Sequence, residues 1–170
     1  DHGLTFTVEM GPLTNPYLLG DKLRLSQIYL NLLTNAIKYT NSGGTVKLLV
    51  REEPAADGES AELICIVQDN GIGMSEEFQK TMYESFSRAG DSRIDKIQGT
   101  GLGLAIAKQM TEQMSGTIDC ASRLGEGTTF TVRIALPTAR AEDLPHAVRS
   151  TDSGELHDLS GVRLLIAEDN

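Results

Sequence analysis

Two glycine-rich elements, Asp69-Asn70-Gly71-Ile72-Gly73 and Gly99-Thr100-Gly101-Leu102-Gly103-Leu104, follow in order behind an amphipathic stretch that carries Asn31, Asn35 and Lys38. Each has its own chemistry. An ionised carboxylate such as Asp69 accepts hydrogen bonds, and an exocyclic amine of a purine is a suitable donor to it. Gly71 and Gly73 lack the Cβ that would keep a flat ring away from the backbone. A glycine loop opening a helix, as at 99–104, offers free N–H groups and a favourable dipole to phosphate oxygens. An amide oxygen can ligate Mg²⁺, and a lysine ammonium can meet a phosphate. Taken alone, the asparagine stripe also suits an ordinary solvated helix face, and the Asp-Asn-Gly element an ordinary turn. Together the three describe a nucleotide pocket.

The elements that must hold these groups are legible from periodicity. Leu4, Phe6 and Val8 alternate with polar residues, the period of a half-buried strand. Asp21 is placed to cap a helix running to about Thr40, ended by Asn41-Ser42-Gly43-Gly44. Within it Leu25, Ile28, Tyr29, Leu32 and Ala36 form a core-facing stripe, and Asn31, Asn35 and Lys38 form a second stripe beside it. Strands are expected near 45–52 and 62–68, with a polar loop from Pro54 to Ser60 between them. Ser75 starts a short helix with an acidic first turn, and another helix runs from about Thr100 to Met114, closed by Gly116. Thr117 to Ser122 and Thr128 to Leu136 read as a hairpin around Gly125-Glu126-Gly127. Strands and helices mix without strict alternation, so the expected fold is a two-layer α/β sandwich, a mixed sheet packed on about three helices.

Bulk properties narrow the partners. A chain of 170 residues, 39% hydrophobic and 23% charged, is of a size and composition to bury a core. Its net charge of −9 argues against nucleic acid and against an anionic membrane surface, so a phosphate site must be built locally. No apolar run is long enough to span a bilayer. Cys65 and Cys120 form no CxxC pair and have no flanking histidines, which points to reduced residues in or near the core of a cytoplasmic protein. The chain does not open with Met, so it is expected to be part of something longer. From Pro137 onward the composition turns irregular: residues 138–160 read as a linker, and 161–170 as a new hydrophobic strand with an acidic end.

Asn31-Leu32-Leu33-Thr34-Asn35-Ala36-Ile37-Lys38-Tyr39-Thr40, together with the two glycine elements, resembles the N, G1 and G2 boxes of sensor histidine kinases. Tyr83-Glu84-Ser85-Phe86-Ser87-Arg88 is similar to their F box, with Ser85 where proline is usual. Gly125-Glu126-Gly127-Thr128-Thr129-Phe130 resembles the threonine-bearing last box. The resemblance runs from about Gly3 to Pro137, with residues 1–137 as the domain, and implies the Bergerat-type ATP-binding fold of the gyrase, Hsp90, MutL and histidine kinase superfamily. Carried onto this sequence, it makes Asn35 the Mg²⁺ ligand with Asn31 beside it. Lys38 and Arg88 would address phosphates, and Tyr39 would lie along the nucleotide. Asp69, supported by Thr128, would accept from the adenine amine, with Gly71 and Gly73 admitting the ring. Gly99, Thr100, Gly101, Leu102, Gly103 and Leu104 would cradle phosphates. Residues 87–99 would form an ATP lid anchored by Phe86.

The catalytic set implied is Asn31, Lys38 and Arg88, with ATP and Mg²⁺ as cofactors. ATPase members place a glutamate at the position of Asn31, which here cannot take a proton, so transfer to a histidine is favoured over water activation. The tail from Val162 resembles the first strand of a receiver domain, with Glu168 and Asp169 at its acidic end, implying a hybrid kinase. His2, His146 and His157 are the only histidines, and none sits in a phosphoacceptor context. The acceptor would therefore lie on a dimerisation domain outside this chain. The partners implied are that domain, a receiver in cis and a response regulator or phosphotransfer protein, within a homodimeric kinase that can be membrane-anchored elsewhere. A hydrolase of the same superfamily and a non-catalytic scaffold are the competing expectations.

Overall fold

A computed structural model describes residues 3–84 and 100–140. Phe86, Arg88, Gly99, the expected lid, the linker from residue 141 and the strand expected at 161–170 lie outside the described residues. The elements are β1 (Thr5–Met10), α1 (Lys22–Tyr39), β2 (Thr45–Pro54), β3 (Ser60–Asp69), α2 (Glu76–Thr81), α3 (Gly103–Gln113), β4 (Thr117–Arg123) and β5 (Gly127–Pro137). The five strands form one sheet in the order β1-β2-β3-β5-β4. β1 runs parallel to β2, and the other neighbours are antiparallel. The mixed two-layer sandwich expected from the pattern is the fold observed. Asp1–Ala139 is one compact unit; of a second, Arg140–Asn170, only Arg140 is described.

Strand register decides what meets the helices. Directly opposed residues share a face of the sheet. Val67 lies opposite Leu48 and Phe130, and Phe130 opposite Cys120. One row along, Asp69 lies opposite Val46 and Thr128, and Thr128 opposite Ser122. Val46, Val67, Phe130, Val132 and Ile134 join Ile28, Leu32, Leu33, Ala36 and Ala107 in the core, which marks this as the helix-covered face. Asp69, Thr128 and Ser122 are thus the polar end of an otherwise apolar set of rows.

α1 forms where its cap and stripe require it. Asp21 Oδ1 accepts from the N–H groups of Leu23 (3.0 Å) and Arg24 (3.1 Å). Ile28 and Leu32 are fully buried and Ala36 nearly so, while Leu25 and Tyr29 are only partly covered. α3 packs across α1, and Arg24 Nη1 donates to Gln113 Oε1 at 2.9 Å where they meet. Both cysteines are free, and burial pushes each thiol up to about 12.

Several expectations need correction. β1 is an edge strand, with Val8 41% and Met10 53% exposed, because the helical layer does not extend over it. Pro54 belongs to β2: it ends the strand, where a missing N–H costs no ladder bond. α3 begins three residues later than Thr100 and ends at Gln113. Its terminus is closed by Ser115, at φ 56, ahead of Gly116. Ser115 N–H donates to Glu112 O and Gly116 N–H to Thr111 O, both at 2.9 Å, so the left-handed position of this cap is serine. Gly116 is required instead by space, since a Cβ there would meet the Arg133 carbonyl.

The chain between β1 and α1 is tied down by Glu52, which is 7% exposed on the helix side of β2. It accepts from Thr14 Oγ1 at 2.7 Å and from the backbone and side-chain nitrogens of Asn15. Burial works to raise the carboxyl, and these hydrogen bonds outweigh it and hold the group below its ordinary 4.5. A depressed carboxyl stabilises the fold above its unfolded value and loses that contribution as pH falls through the folded one. Urea unfolding should therefore show stability falling as pH drops below about 4.5, with Glu52→Gln less stable at pH 7 and flatter in acid. In the same assay, Ser115→Gly should raise stability by about 1 kcal/mol by relieving the left-handed backbone.

Candidate nucleotide site

α1 organises the site. Its last residue, Tyr39, accepts through its carbonyl from Ile72 N–H at 3.1 Å, which fixes the first glycine element to the helix end. One and two turns back, Asn35 and Asn31 face the second element: a Cβ built on Gly103 would lie 3.7 Å from Asn31 Oδ1 and 3.7 Å from Asn35 Nδ2. Asn31 and Tyr39 are separated along the axis by about 12 Å. The structure therefore brings Gly103 to Asn31 and Asn35 along α1, and Gly71 with Asp69 to the helix end at Tyr39, while Thr128 lies opposite Asp69 on β5 and Gly73 packs against Arg123. Lys38 Nζ lies 5.1 Å from the centre of the Tyr39 ring.

The glycines of the first element have a structural reason beside the one expected. A Cβ on Gly71 would run into the Tyr39 carbonyl, and one on Gly73, at φ 63, into the Arg123 carbonyl. Gly127, at φ 103, leaves no room for a Cβ against the Asp69 carbonyl. Close packing of backbone on backbone is sufficient to require all three.

Asp69 closes β3 with its Oδ1 accepting from Gly71 N–H at 2.9 Å. Burial raises its carboxyl above the ordinary aspartate value; the backbone groups of Gly71 and Thr128 act in the opposite sense without cancelling it. Asn70 is structural: its Oδ1 accepts from Thr45 N–H at 2.7 Å, and its own N–H donates to Thr45 O at 3.2 Å. Sequence reasoning missed Ser122, whose hydroxyl lies 3.0 Å from Thr128 Oγ1 and accepts from Met74 N–H at 2.9 Å. Nothing in its local sequence marks it; only the strand register does.

The second element presents an open helix start. Leu102 caps α3 without a side-chain hydrogen bond, Gly101 takes φ 71, and no acidic residue occupies the first turn. Among the described residues, then, no side chain caps the first N–H groups and positive dipole end of α3. Thr100 is exposed, and Leu104 turns inward against the core.

Two observations bear on whether a phosphate–metal group fits. Asn31 Nδ2 is buried without a hydrogen-bond partner, an unmet donor on the side chain whose Oδ1 faces Gly103. Among the described residues no cluster of three or more His, Cys, Asp or Glu could hold a metal by itself. The protein oxygen at hand for a cation that substrate phosphates would hold is an asparagine amide oxygen, such as the Asn31 Oδ1 that faces Gly103. The residues fit. Two clefts, of about 440 Å³ beside Tyr83 and Lys108 and about 320 Å³ beside Leu25 and Leu136, contain none of these residues.

Residues 20–138 match the family described as histidine kinase-, DNA gyrase B-, and HSP90-like ATPase. The chain belongs to this family. Sensor histidine kinase GacS of Pseudomonas protegens is 45% identical over 130 residues, covering 75% of this chain and 14% of that protein. The autoinducer 2 sensor kinase/phosphatase LuxQ of Vibrio cholerae is 32% identical over 173 residues, covering 100% of this chain and 20% of that protein. The chain thus spans a small part of the length of these relatives. Full-length ShkA in complex with AMPPNP has a TM-score of 0.63 at 30% identity, covering 81% of this chain and 27% of that one. The catalytic domain of ThkA, at 24% identity and TM-score 0.63, covers 79% and 81% and shares the fold. This is an ATP-binding catalytic domain of the sensor histidine kinase type. Among the described residues no helix is long and apolar enough to cross a membrane.

The raised carboxyl of Asp69 gives a pH expectation. Its proton is held more tightly in the folded chain than in the unfolded one, so Asp69 alone works against stability as pH rises through that interval. An amine donor needs the ionised form. Affinity for ADP, measured by calorimetry from pH 7 downward, should begin to fall above the ordinary aspartate value of 3.8, and Asp69→Glu should shift the onset.

Proposed function

We propose that this domain binds Mg²⁺-ATP and transfers its γ-phosphoryl group to a histidine on a dimerisation domain of the same protein, within a hybrid kinase of a two-component relay. The observation that carries the reading is the convergence of Asn31, Asn35 and Gly103, with an unmet buried amide donor, at the open N-terminus of α3. Asp69 and Thr128 take the adenine end. Tyr39 closes α1 at the adenine end, and the triphosphate would run from there along Asn35 and Asn31 toward α3. Asn35 offers an amide oxygen to Mg²⁺, which when bound neutralises phosphate charge as it develops. Lys38 and the N–H groups of 101–104 hold the phosphates from the protein side, and Arg88 is proposed for the same task. Leu104 keeps that helix start seated on the core, with Leu102 at its cap, so positioning supplies most of the catalysis.

Asn31 favours histidine over water as acceptor. Its amide cannot take a proton, so it cannot activate water as a glutamate would. A neutral imidazole already carries a nucleophilic nitrogen and needs no base. Residues 1–137 form the catalytic domain, 138–160 a linker and 161–170 the first strand of a receiver. The response regulator or phosphotransfer protein, the homodimer and the cytoplasmic location follow from that reading.

Calorimetric titration of a non-hydrolysable ATP analogue with Mg²⁺ should give saturable binding that Asp69→Asn abolishes. With a dimerisation domain supplied in trans, phosphohistidine formation should fall at least about 10²-fold in Asn35→Ala. Absence of binding by the unsubstituted chain would favour a scaffold. Steady phosphate release without the acceptor domain would favour a hydrolase.

A further inference from the structure

Asp69, Thr128 and Ser122 stand side by side across β3, β5 and β4, at the polar end of the helix-covered face. The Ser122 hydroxyl has three neighbours: Met74 N–H at 2.9 Å, Gly127 O at 3.0 Å and Thr128 Oγ1 at 3.0 Å. A serine hydroxyl has one proton and two lone pairs. Met74 N–H can only donate, and Gly127 O can only accept. The serine proton therefore goes to Gly127 O, and one lone pair receives Met74 N–H. The remaining lone pair can be satisfied by Thr128 only if Thr128 donates its own proton. Reversing that bond would take the serine proton away from the Gly127 carbonyl.

We propose that Ser122 is a positioning residue for base selection: by accepting the Thr128 proton, it leaves Thr128 Oγ1 with lone pairs only toward the pocket. This rests on the nucleotide-binding reading above and deepens it. With Asp69 ionised beside it, the base-reading edge consists of acceptors. A 6-amino purine brings N–H donors to that edge. A 6-oxo group brings lone pairs against these lone pairs. The selection holds where the 6-substituent, and not the ring N1, faces both acceptors, because N1 changes in the opposite sense. At position 6 discrimination then comes from repulsion as well as attraction. Ser122 itself does not touch the base. Its contribution is the direction of one proton, held by groups on the Met74 segment and on the first two residues of β5.

The test measures Mg²⁺-ADP and Mg²⁺-GDP binding to the full 170-residue chain by calorimetry and reads the ratio of the two Kd values. In Ser122→Ala the Thr128 hydroxyl is free to turn its proton to a 6-oxo group, and the preference for ADP should fall about two- to tenfold. Ser122→Thr keeps a hydroxyl and should keep the ratio. On a Thr128→Val background, Ser122→Ala should change the ratio no further, because both act through one hydroxyl. Equal weakening of ADP and GDP by Ser122→Ala, with the ratio intact, would overturn the proposal and leave Ser122 a structural residue. Should Ser122→Ala not fold, Thr128→Val alone reads the same hydroxyl, and an unchanged ratio there overturns the proposal equally. An unsubstituted chain that binds neither nucleotide overturns the nucleotide-binding reading too; one that binds ADP while the variants keep its ratio overturns this inference alone.

Discussion

The site depends on one seam, where the Tyr39 carbonyl at the end of α1 receives Ile72 N–H and Gly71 packs against it with no side chain between. A helix end leaves carbonyls unsatisfied, and here one of them anchors the loop that follows β3. Asp69 is fixed by the strand on one side of that loop and by its own acceptance of Gly71 N–H. Because Asn31 and Asn35 are on the same helix as Tyr39, the proposed adenine end and the proposed phosphate end share one rigid element. Any substitution that opens the seam moves Asp69 relative to both asparagines, although it touches neither. The burial of Ile28, Leu32 and Ala36 along the neighbouring stripe of α1 holds that element against the sheet.

The glycines illustrate how a motif can serve a purpose other than the obvious one. Gly71, Gly73 and Gly127 are explained by backbone packed on backbone and, for two of them, by left-handed φ. Gly103 is different: its missing Cβ would make only ordinary contacts, and its face is turned to Asn31 and Asn35. Of these four, Gly103 is the one whose open side coincides with the proposed chemistry. The uncapped start of α3 belongs with it, since a helix N-terminus without a side-chain cap leaves donors for an anion.

Much of this was legible in the sequence because it rests on local periodicity and local caps. Asp21 and Ser75 cap the helices they precede, and the stripe of Ile28, Leu32 and Ala36 faces the core as its spacing requires. The mixed sheet followed from the alternation of elements. What was not legible depends on pairing between distant strands. Ser122 becomes significant only when β4 lies beside β5 with Ser122 opposite Thr128. The exposure of Val8 and Met10 follows from the position of β1 at the sheet edge, which an apolar–polar alternation cannot reveal. Ser115 in a left-handed cap and Asn70 as a tie to Thr45 are likewise products of tertiary context overriding the commoner choice. At the site, residue types gave the candidate groups, and the fold gave their convergence on α1.

The central claim is that both glycine elements and α1 form one nucleotide surface. Amide hydrogen exchange of the full chain, with and without Mg²⁺-ADP, tests it most directly. The expected result is simultaneous slowing at Gly71–Gly73, at Thr128 and at Gly101–Ala105, each limited by the same nucleotide concentration. Slowing confined to one end, or at two ends with different concentration dependences, would contradict a single α1-centred site.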